Sequence, residues 1–351
     1  MLAIRAAAVL SLAAGLIVAG CSAGSSPATP MATPADGTVP DRSTVTPAAI
    51  PRVEMPYGGR GVAGLVHYLA VEDGFYARHG VEVSSAAIGN AATLVAAVMS
   101  GEAAMGATAM EAVLSAAAGG SPLTIVGSQL TGIASSVIAQ PGTRAPQDLR
   151  GKRMGVTSFT SPTHTAALLY LRGVGLRPGD DVAVTPIGGM PEIRAALQSG
   201  GLDSATITPP LSYALARDGY TELADLSTLD LKYHQAVLFT TRTGLQERPD
   251  VVRSILAGYA EAQRAVLTDQ AAAQRVLAKW VDVTDPQDLE KTYALALRGF
   301  AAGPTVDLEA VQTVIDLLAE SQPNLSSLRA AAAVDNTLVN EAAIRYGFAA
   351  R

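Results

Sequence analysis

Two short segments of the sequence carry residue types that can hold a small anion. Ser161 and Pro162 have the form of a helix start, one as the N-cap and the other as the first helical residue. Thr163 and His164 follow in the first turn. The backbone N–H groups of such a start, together with Ser and Thr hydroxyls, suit the oxygens of a sulfonate, nitrate or carboxylate. Arg60, in a glycine-rich loop, adds a guanidinium that can hold an oxyanion through two hydrogen bonds.

The same glycine-rich loop offers a competing interpretation. Residues 59–64 read G-x-G-x-x-G between a predicted strand and a predicted helix, and Glu82 follows about 18 residues later. This spacing is typical of a dinucleotide-binding loop and would indicate an NAD-dependent oxidoreductase. The preceding strand contains Glu54 and Pro56, whereas a dinucleotide-binding fold uses a buried apolar strand there. The oxidoreductase therefore stays as the alternative from another functional class.

Other catalytic and metal-binding patterns are absent from the sequence. It contains no G-x-S-x-G elbow, no H-E-x-x-H helix and no phosphate-binding Walker loop. The four histidines lack metal-ligand spacing, and a single cysteine excludes an internal disulfide and a cysteine-based metal cluster. We therefore predict a binding protein without catalysis, cofactor or metal.

The composition narrows the class of protein. The chain has 351 residues, of which 49% are hydrophobic and 16% charged, so it is too apolar to be disordered as a whole. It is long enough for two lobes, each with its own core. The formal net charge of −6 argues against nucleic-acid binding, which needs a basic surface.

The first residues predict export and a membrane anchor. Arg5, the apolar run 6–19 and the small residues before Cys21 have the form of a signal peptide over residues 1–20. Residues 18–21 resemble the bacterial lipobox, in which the cysteine becomes the lipidated first residue of the mature protein. Residues 21–51, rich in Pro, Ser and Thr, predict a disordered tether that spans ~30 Å. We expect a lipoprotein at the outer face of the cell membrane or in the periplasm, where loading a nicotinamide cofactor is difficult.

From Arg52 onwards the sequence predicts alternating strands and helices, which is typical of α/β proteins with mostly parallel sheets. Segments 96–101 and 195–200 are similar at an offset of 99 residues, which indicates two lobes built on one plan. The predicted strands are 52–55, 81–84, 103–107 and 123–127, and the predicted helices 62–72, 91–100, 111–118, 251–267, 271–280, 287–298 and 308–320.

Several of these segments resemble the substrate-binding proteins of ABC importers in the nitrate, sulfonate and taurine group. Residues 148–156, Asp-Leu-Arg-Gly-Lys-Arg-Met-Gly-Val, carry the most specific match, and Ala104 departs from the family's usual Asp. The resemblance extends over about 53–300 and also includes 70–83, 94–102, 195–209 and 248–252. It implies a two-lobe type II periplasmic-binding-protein fold with a cleft between the lobes. Lobe one would comprise 52–133 with 239–351, lobe two 134–238, and the chain would cross near 132–136 and 235–239.

The resemblance also implies the ligand site and the partners. A small anion would be captured in the cleft by a monomer and delivered to an ABC permease with its ATPase, with no nucleic acid involved. The implied ligand-binding residues are Tyr57, Gly58, Gly59, Arg60, Thr108, Ala109, Met110, Thr157, Ser158, Ser161, Thr163, His164, Thr208, Pro209 and Tyr233.

A heterocyclic ligand, such as a pyrimidine vitamin precursor, is the alternative for the same receptor role. It would stack on Tyr57 or Tyr233, and Glu111 would favour it over a bare anion if its carboxylate faced the cleft. A thiamine-pyrimidine synthase of fungi shares this fold, but its catalytic cysteine-rich stretch has no counterpart in a chain whose one cysteine is Cys21.

Overall fold

The computed structural model describes residues 50–229 and 232–351; the predicted signal peptide, Cys21 and nearly all of the tether lie outside the described residues. Strands and helices alternate through the first two thirds of this part, and helices dominate the last third. The strands are β1 (Arg52–Glu54), β2 (Glu82–Ser84), β3 (Gly106–Ala109), β4 (Leu123–Thr131), β5 (Ser136–Ala139), β6 (Lys152–Val156), β7 (Val182–Pro186), β8 (Ser204–Ile207), β9 (Thr221–Asp225) and β10 (His234–Thr241).

The helices range from single turns to the five and a half turns of the ninth. They are α1 (Leu65–Glu72), α2 (Phe75–Arg78), α3 (Ala91–Met99), α4 (Met110–Ala118), α5 (Pro162–Gly173), α6 (Met190–Gln198), α7 (Leu211–Arg217), α8 (Arg242–Glu247), α9 (Pro249–Thr268), α10 (Gln270–Trp280), α11 (Pro286–Phe300), α12 (Leu308–Ala319), α13 (Ala330–Ala333) and α14 (Thr337–Arg345). Within the described ranges, no helix is both long and apolar enough to cross a membrane.

Two sets of strands form the first sheet. Strand β10 lies between β3 and β4 and runs antiparallel to both, while β1 pairs with β2 in parallel. Isolated parallel bridges from Glu54 to Ala103 and from Tyr57 to Ala107 join the two sets. The spatial order is therefore β2-β1-β3-β10-β4.

The second sheet repeats this order. Its strands are arranged β7-β6-β8-β5-β9, with β6 parallel to β7 and β8, and β5 antiparallel to β8 and β9. In each sheet four strands share one direction, and the single reversed strand is the one the chain forms on arriving from the other sheet. The prediction of two lobes on one plan with mostly parallel strands is confirmed, and the reversed strand is what the sequence pattern did not reveal.

The strand pairing also locates the crossings. The chain leaves the first sheet at Thr131 and enters the second at Ser136. It returns before His234, because β10 pairs with β4 from that residue onwards. The return therefore falls a few residues earlier than the predicted 235–239.

Helix α9 packs against α1 and α2, α10 packs against α1, and α11 packs on α9, α10 and β4, in a core that contains Leu65, Tyr259 and Phe300. A second core joins α4, α5 and α12 through Leu114, Leu171 and Val314. Helix α4 follows β3 of the first sheet, and α5 follows β6 of the second sheet. This apolar core is therefore shared between the two halves of the described chain.

Candidate functional site

The start of α5 is held by a cluster of hydroxyl groups. Ser161 is the N-cap, as predicted, and its Oγ accepts the His164 N–H at 3.3 Å. Thr163 Oγ1 accepts the Thr157 N–H at 2.9 Å and lies 2.9 Å from both the Thr157 and Ser161 hydroxyl oxygens. Ser161 Oγ donates to the Ser158 carbonyl at 2.6 Å. Five of the predicted ligand residues therefore lie together at the C-terminal end of β6.

Most of this cluster is buried. Ser161, Thr163 and His164 are each less than 9% exposed, whereas Ser158 and Phe159 are exposed. The Phe159 ring lies edge-on to His164, with 5.3 Å between the ring centroids. Burial lowers the pKa of His164, so its imidazole is neutral at pH 7, and its Nδ1 has no partner among the described residues. The exposed part of the α5 start is thus the turn at Ser158 and Phe159.

A second helix start, that of α4, follows β3. Gly58 donates its N–H to the Ala107 carbonyl at 2.8 Å, and a Cβ on Gly58 would lie 2.8 Å from Thr108 Oγ1. Glycine is therefore required where the loop after β1 touches the end of β3. The N-cap residue of α4 is Ala109, whose side chain cannot accept a hydrogen bond, so the first turn of α4 lacks the N-cap bond that Ser161 gives α5.

A buried carboxyl joins the two helix starts. Glu111, the second residue of α4, is 0% exposed, and its Oε1 accepts 2.6 Å hydrogen bonds from the hydroxyls of Thr165 and Tyr233. Burial raises the pKa of Glu111 against the opposite effect of these two donors, which favours the neutral acid. Its Oε2 has no partner within the described ranges. Glu111 thus presents a shielded carboxyl rather than a solvent-facing charge.

Arg60 lies on the exposed loop between β1 and α1. Gly59 adopts φ 111°, in the left-handed region, and Gly61 is extended, so the loop turns sharply at its charged residue. Through Gly58 and Thr108, this loop contacts the same end of β3 from which α4 begins.

The remaining predicted residues lie near this region but differ in exposure. Thr208 and Pro209 follow β8, whose Thr206 hydroxyl donates to the Thr163 carbonyl at 2.7 Å. Tyr57, Met110 and Tyr233 are predicted ligand residues, and the structure buries each of them to 4% exposure or less. The reason is packing: Tyr57 lies against the rings of His67 and Tyr68, and Tyr233 uses its hydroxyl on Glu111. A ligand contact by these three side chains stays a prediction.

The structure accounts for the G-x-G-x-x-G pattern without a dinucleotide. The segment after the second glycine, Gly61, begins as a 3-10 turn at Val62, and a Cβ on the third glycine, Gly64, would lie 2.3 Å from the Tyr68 ring. Gly64 therefore makes room for a side chain of its own helix. Glu82, which would bind the ribose, forms an exposed 2.6 Å ion pair with Arg52.

Three surface cavities of about 520, 420 and 420 Å³ occur elsewhere in the described chain. One lies beside Asp307, one beside the first crossing at Leu130 and one beside α8, and none is lined by a predicted ligand residue. Residues 50–229 and 232–351 contain no group of three or more metal-ligating side chains.

Sequence reasoning missed four residues that shape this region: Thr165, Thr206, Phe159 and Tyr68. Thr165 reads as an ordinary α5 position because its partner is remote in sequence, whereas Thr206 begins the predicted loop 206–209 but was not itself singled out as a ligand residue. Phe159 stood inside the predicted loop 157–164, and an aromatic between a β-strand and a helix start was the available signal. Tyr68 had no signal apart from the glycine four residues before it.

Two sheets with the same strand order, two crossings between them and helix starts that meet between the sheets define the two-lobe fold of periplasmic binding proteins. The chain is similar in structure to the alkanesulfonate-binding protein of Xanthomonas axonopodis pv. citri, solved with MOPS. The match covers 82% of this chain and 98% of that protein, at 22% sequence identity and a TM-score of 0.68. The periplasmic aliphatic sulphonate binding protein of Escherichia coli covers 81% and 92% at 19% identity and a TM-score of 0.69. These similarities establish the fold.

The chain belongs to the NMT1/THI5-like family, whose model matches residues 64–273. The taurine-binding periplasmic protein of Escherichia coli strain K12 is 33% identical over 114 residues, covering 29% of this chain and 34% of that protein. The chain thus aligns with about a third of the length of the curated relatives it matches. The resemblance to substrate-binding proteins of ABC importers in the nitrate, sulfonate and taurine group is confirmed.

Proposed function

We propose that this protein is an extracytoplasmic receptor that binds a small organic or inorganic anion between its two lobes and delivers it to an ABC permease. The observation that carries the proposal is the meeting of the α4 and α5 starts, joined by the Glu111–Thr165 hydrogen bond. Helix starts bring partial positive charge and N–H donors to one place, which suits an oxyanion. The names of the similar proteins, which bind taurine, alkanesulfonates or aliphatic sulphonates, support this ligand class.

The uncapped start of α4 is the more direct anion site of the two. Ser161 already satisfies one N–H of α5, whereas the N-cap residue of α4, Ala109, has no side chain that can accept from the first turn of its helix. The Arg60 loop reaches the same end of β3 through Gly58 and can supply a full positive charge. A sulfonate, nitrate or carboxylate bound there would receive backbone donors from one segment and a guanidinium from another.

A panel of small anions tests the ligand class. Methanesulfonate, taurine, butanesulfonate, nitrate and acetate are added to the purified protein, and thermal shift is followed by calorimetry on the compounds that stabilise it. Arg60→Ala should weaken the best ligand by roughly ten- to a hundredfold, the range for a hydrogen bond to a charged group. Arg144→Ala, on another exposed loop, is the matched control and should bind as wild type. No stabilisation by any anion would contradict the proposal.

An added negative charge tests the α5 start. Thr163 is unsuitable for this purpose, because its hydroxyl accepts the Thr157 N–H inside the cluster. Ser158 is exposed on the same turn, so Ser158→Asp introduces charge without removing that bond. We expect Ser158→Asp to weaken anion binding and Ser158→Asn, the neutral isostere, to leave it nearly unchanged. Equal affinities for the two variants would place the anion away from this turn.

A heterocyclic ligand is the second candidate, because Glu111 favours it. This buried carboxyl keeps one oxygen without a partner in the described structure, and in its neutral form it can donate a hydrogen bond to a ring nitrogen. Stabilisation by an aminopyrimidine in the same thermal-shift assay, with no response to sulfonates, would favour this candidate. Loss of that response in Glu111→Gln would assign the contact.

The anchor forms part of the same proposal. Cys21 would carry the lipid that tethers the receptor beside its permease, and residues 22–51 would let the folded part reach it. Detergent partitioning of wild-type and Cys21→Ser protein from the expressing cells tests this. Wild type should enter the detergent phase after signal removal, and the variant should not; equal partitioning would contradict lipidation.

A further inference from the structure

The hydroxyl of Tyr68 closes the loop that carries Arg60. Tyr68 lies in α1 and is 1% exposed. Its hydroxyl donates a 2.9 Å hydrogen bond to the Gly59 carbonyl and accepts a 3.3 Å hydrogen bond from the Gly61 N–H. One side chain therefore ties together the residue before Arg60 and the residue after it.

We propose that Tyr68 is a positioning residue for ligand binding, which fixes the loop shape from which the Arg60 guanidinium reaches the anion. The inference rests on the proposed function, since it gives Tyr68 this role through the ligand contact of Arg60. The Arg60 side chain is exposed and forms no hydrogen bond with the described residues, so its backbone is what directs it. Fixing that backbone lowers the entropy that the loop loses on binding.

The Tyr68 ring is itself held on two sides. Trp280 stacks on it with 5.0 Å between ring centroids and 8° between the planes, and Tyr57 contacts it edge-on at 5.1 Å. The Trp280 indole N–H donates to Glu72 at 2.8 Å, which holds the stacking ring in place. A side chain in α10 thus supports a loop more than two hundred residues earlier in the chain.

Gly64 completes the arrangement. Its φ of −80° is open to any residue, so the backbone does not require glycine there. A Cβ at this position would lie 2.3 Å from Tyr68 Cζ and 2.4 Å from the hydroxyl oxygen. The third glycine of the G-x-G-x-x-G pattern therefore leaves the space that the Tyr68 side chain needs for its hydroxyl to reach the loop.

A double-mutant cycle with Arg60 tests the proposal. Tyr68→Phe keeps the stacked ring and removes both hydrogen bonds, and it should weaken the sulfonate that gives the largest thermal shift by roughly two- to tenfold. In the Arg60→Ala background, the same substitution should change the affinity little, because the group it positions is gone. Tyr293→Phe is the matched control: it also removes a bond to a backbone carbonyl, that of Val266 at 3.1 Å, and should leave affinity unchanged.

Hydrogen exchange provides a readout that needs no ligand. The Gly61 amide should exchange faster in Tyr68→Phe than in wild type or Tyr293→Phe at equal global stability. Unchanged exchange of Gly61 in Tyr68→Phe would overturn the inference, as would an equal loss of affinity with and without Arg60. Faster exchange in a protein that binds no anion of the panel would instead keep the loop's dependence on Tyr68 and refute the proposed function.

Discussion

Thr165 Oγ1 donates a 2.6 Å hydrogen bond to Glu111 Oε1, and both side chains are fully buried. The bond connects α4, which follows β3 of the first sheet, with α5, which follows β6 of the second sheet. Tyr233 donates to the same oxygen, so two hydroxyls converge on one side of the carboxyl. The other oxygen has no partner in the described part of the chain, which makes the ionised form expensive and the neutral acid the stable form at this place.

The first prediction concerns this carboxyl. Burial in the folded state raises the pKa of Glu111 above its ordinary value of 4.5. Above pH 4.5 the folded protein therefore keeps a proton on Glu111 that the unfolded chain releases. Stability from this group is therefore complete below pH 4.5 and declines as the pH rises toward the folded pKa. Glu111→Gln keeps an acceptor for both hydroxyls and removes the titration. We expect its stability relative to wild type to rise between pH 5 and pH 8, because only the wild type has to bury or protonate this carboxyl as the pH rises.

Urea unfolding at several pH values measures this difference. Glu102→Gln removes an exposed carboxyl from the same half of the chain and should show no such trend. A flat difference between Glu111→Gln and wild type would mean that Glu111 is ionised in the folded protein at neutral pH.

Much of the fold followed from sequence patterns, and the exceptions have physical causes. Helices α9 to α12 were predicted within one or two residues, because long amphipathic periods and caps such as Asp285 and Asp307 mark them, whereas no bounds were predicted for α8, α13 and α14. Strand 103–107 was placed three residues early at its start and two at its end, since Ala103 pairs only through an isolated bridge. The reversal of β5 and β10 was not predictable, because strand direction depends on partners that are remote in sequence.

The candidate site was predictable where local rules govern it. The Ser161 cap follows from the preference of helix starts, and the close approach of Gly58 to Thr108 agrees with the predicted loop cluster. Burial was harder to predict: Tyr57 lies in the core because the rings of His67 and Tyr68 cover it, and Tyr233 because its hydroxyl bonds to the buried Glu111. The role of Tyr68 depends on Trp280, which no local pattern connects to it.

The second prediction concerns His234. The Asp307 N–H donates to its Nε2 at 2.8 Å, so the proton is on Nδ1, which lies 2.8 Å from Ser128 Oγ. Burial lowers the pKa of His234 to about 4, so the folded protein holds it neutral where the unfolded chain, at 6.5, is protonated. Stability from this group is complete above pH 6.5 and is lost as the pH falls toward 4, by about 3 kcal/mol at most.

His234→Gln removes the titration while keeping a polar side chain. The variant should be less stable than wild type at pH 7.5, and the gap should narrow steadily between pH 6.5 and pH 4.5, as measured by urea unfolding. A gap that stays constant over this range would show that His234 does not contribute to acid sensitivity.

The third prediction compares two glycines of one loop. Gly64→Ala places a methyl 2.3 Å from the Tyr68 ring, which is stacked on Trp280 and cannot move freely, so we expect a loss of about 1–3 kcal/mol. Gly61→Ala meets no atom within 4 Å and has an extended backbone, so it should change stability by less than about 0.5 kcal/mol. Chemical denaturation of both variants decides the matter; equal losses would mean that the Tyr68 ring yields to the methyl group.

The fourth prediction compares two ion pairs that join helices of the two halves. Arg217, in α7, pairs with Asp288 of α11 at 2.5 Å, and Arg172, in α5, pairs with Glu320 at 2.6 Å. The Asp288 side chain is 5% exposed and that of Glu320 is 62% exposed. Arg217→Ala leaves a shielded carboxylate without its partner and should cost about 1–3 kcal/mol, whereas Arg172→Ala leaves a hydrated one and should cost less than about 1 kcal/mol. Because both arginines are half-exposed, the comparison isolates the burial of the acid.

A second substitution tests the cause of the loss. Adding Asp288→Asn to Arg217→Ala should recover part of the lost stability, because it removes the unpaired buried charge. If Arg217→Ala is as stable as Arg172→Ala in urea, water reaches Asp288 once the arginine is gone.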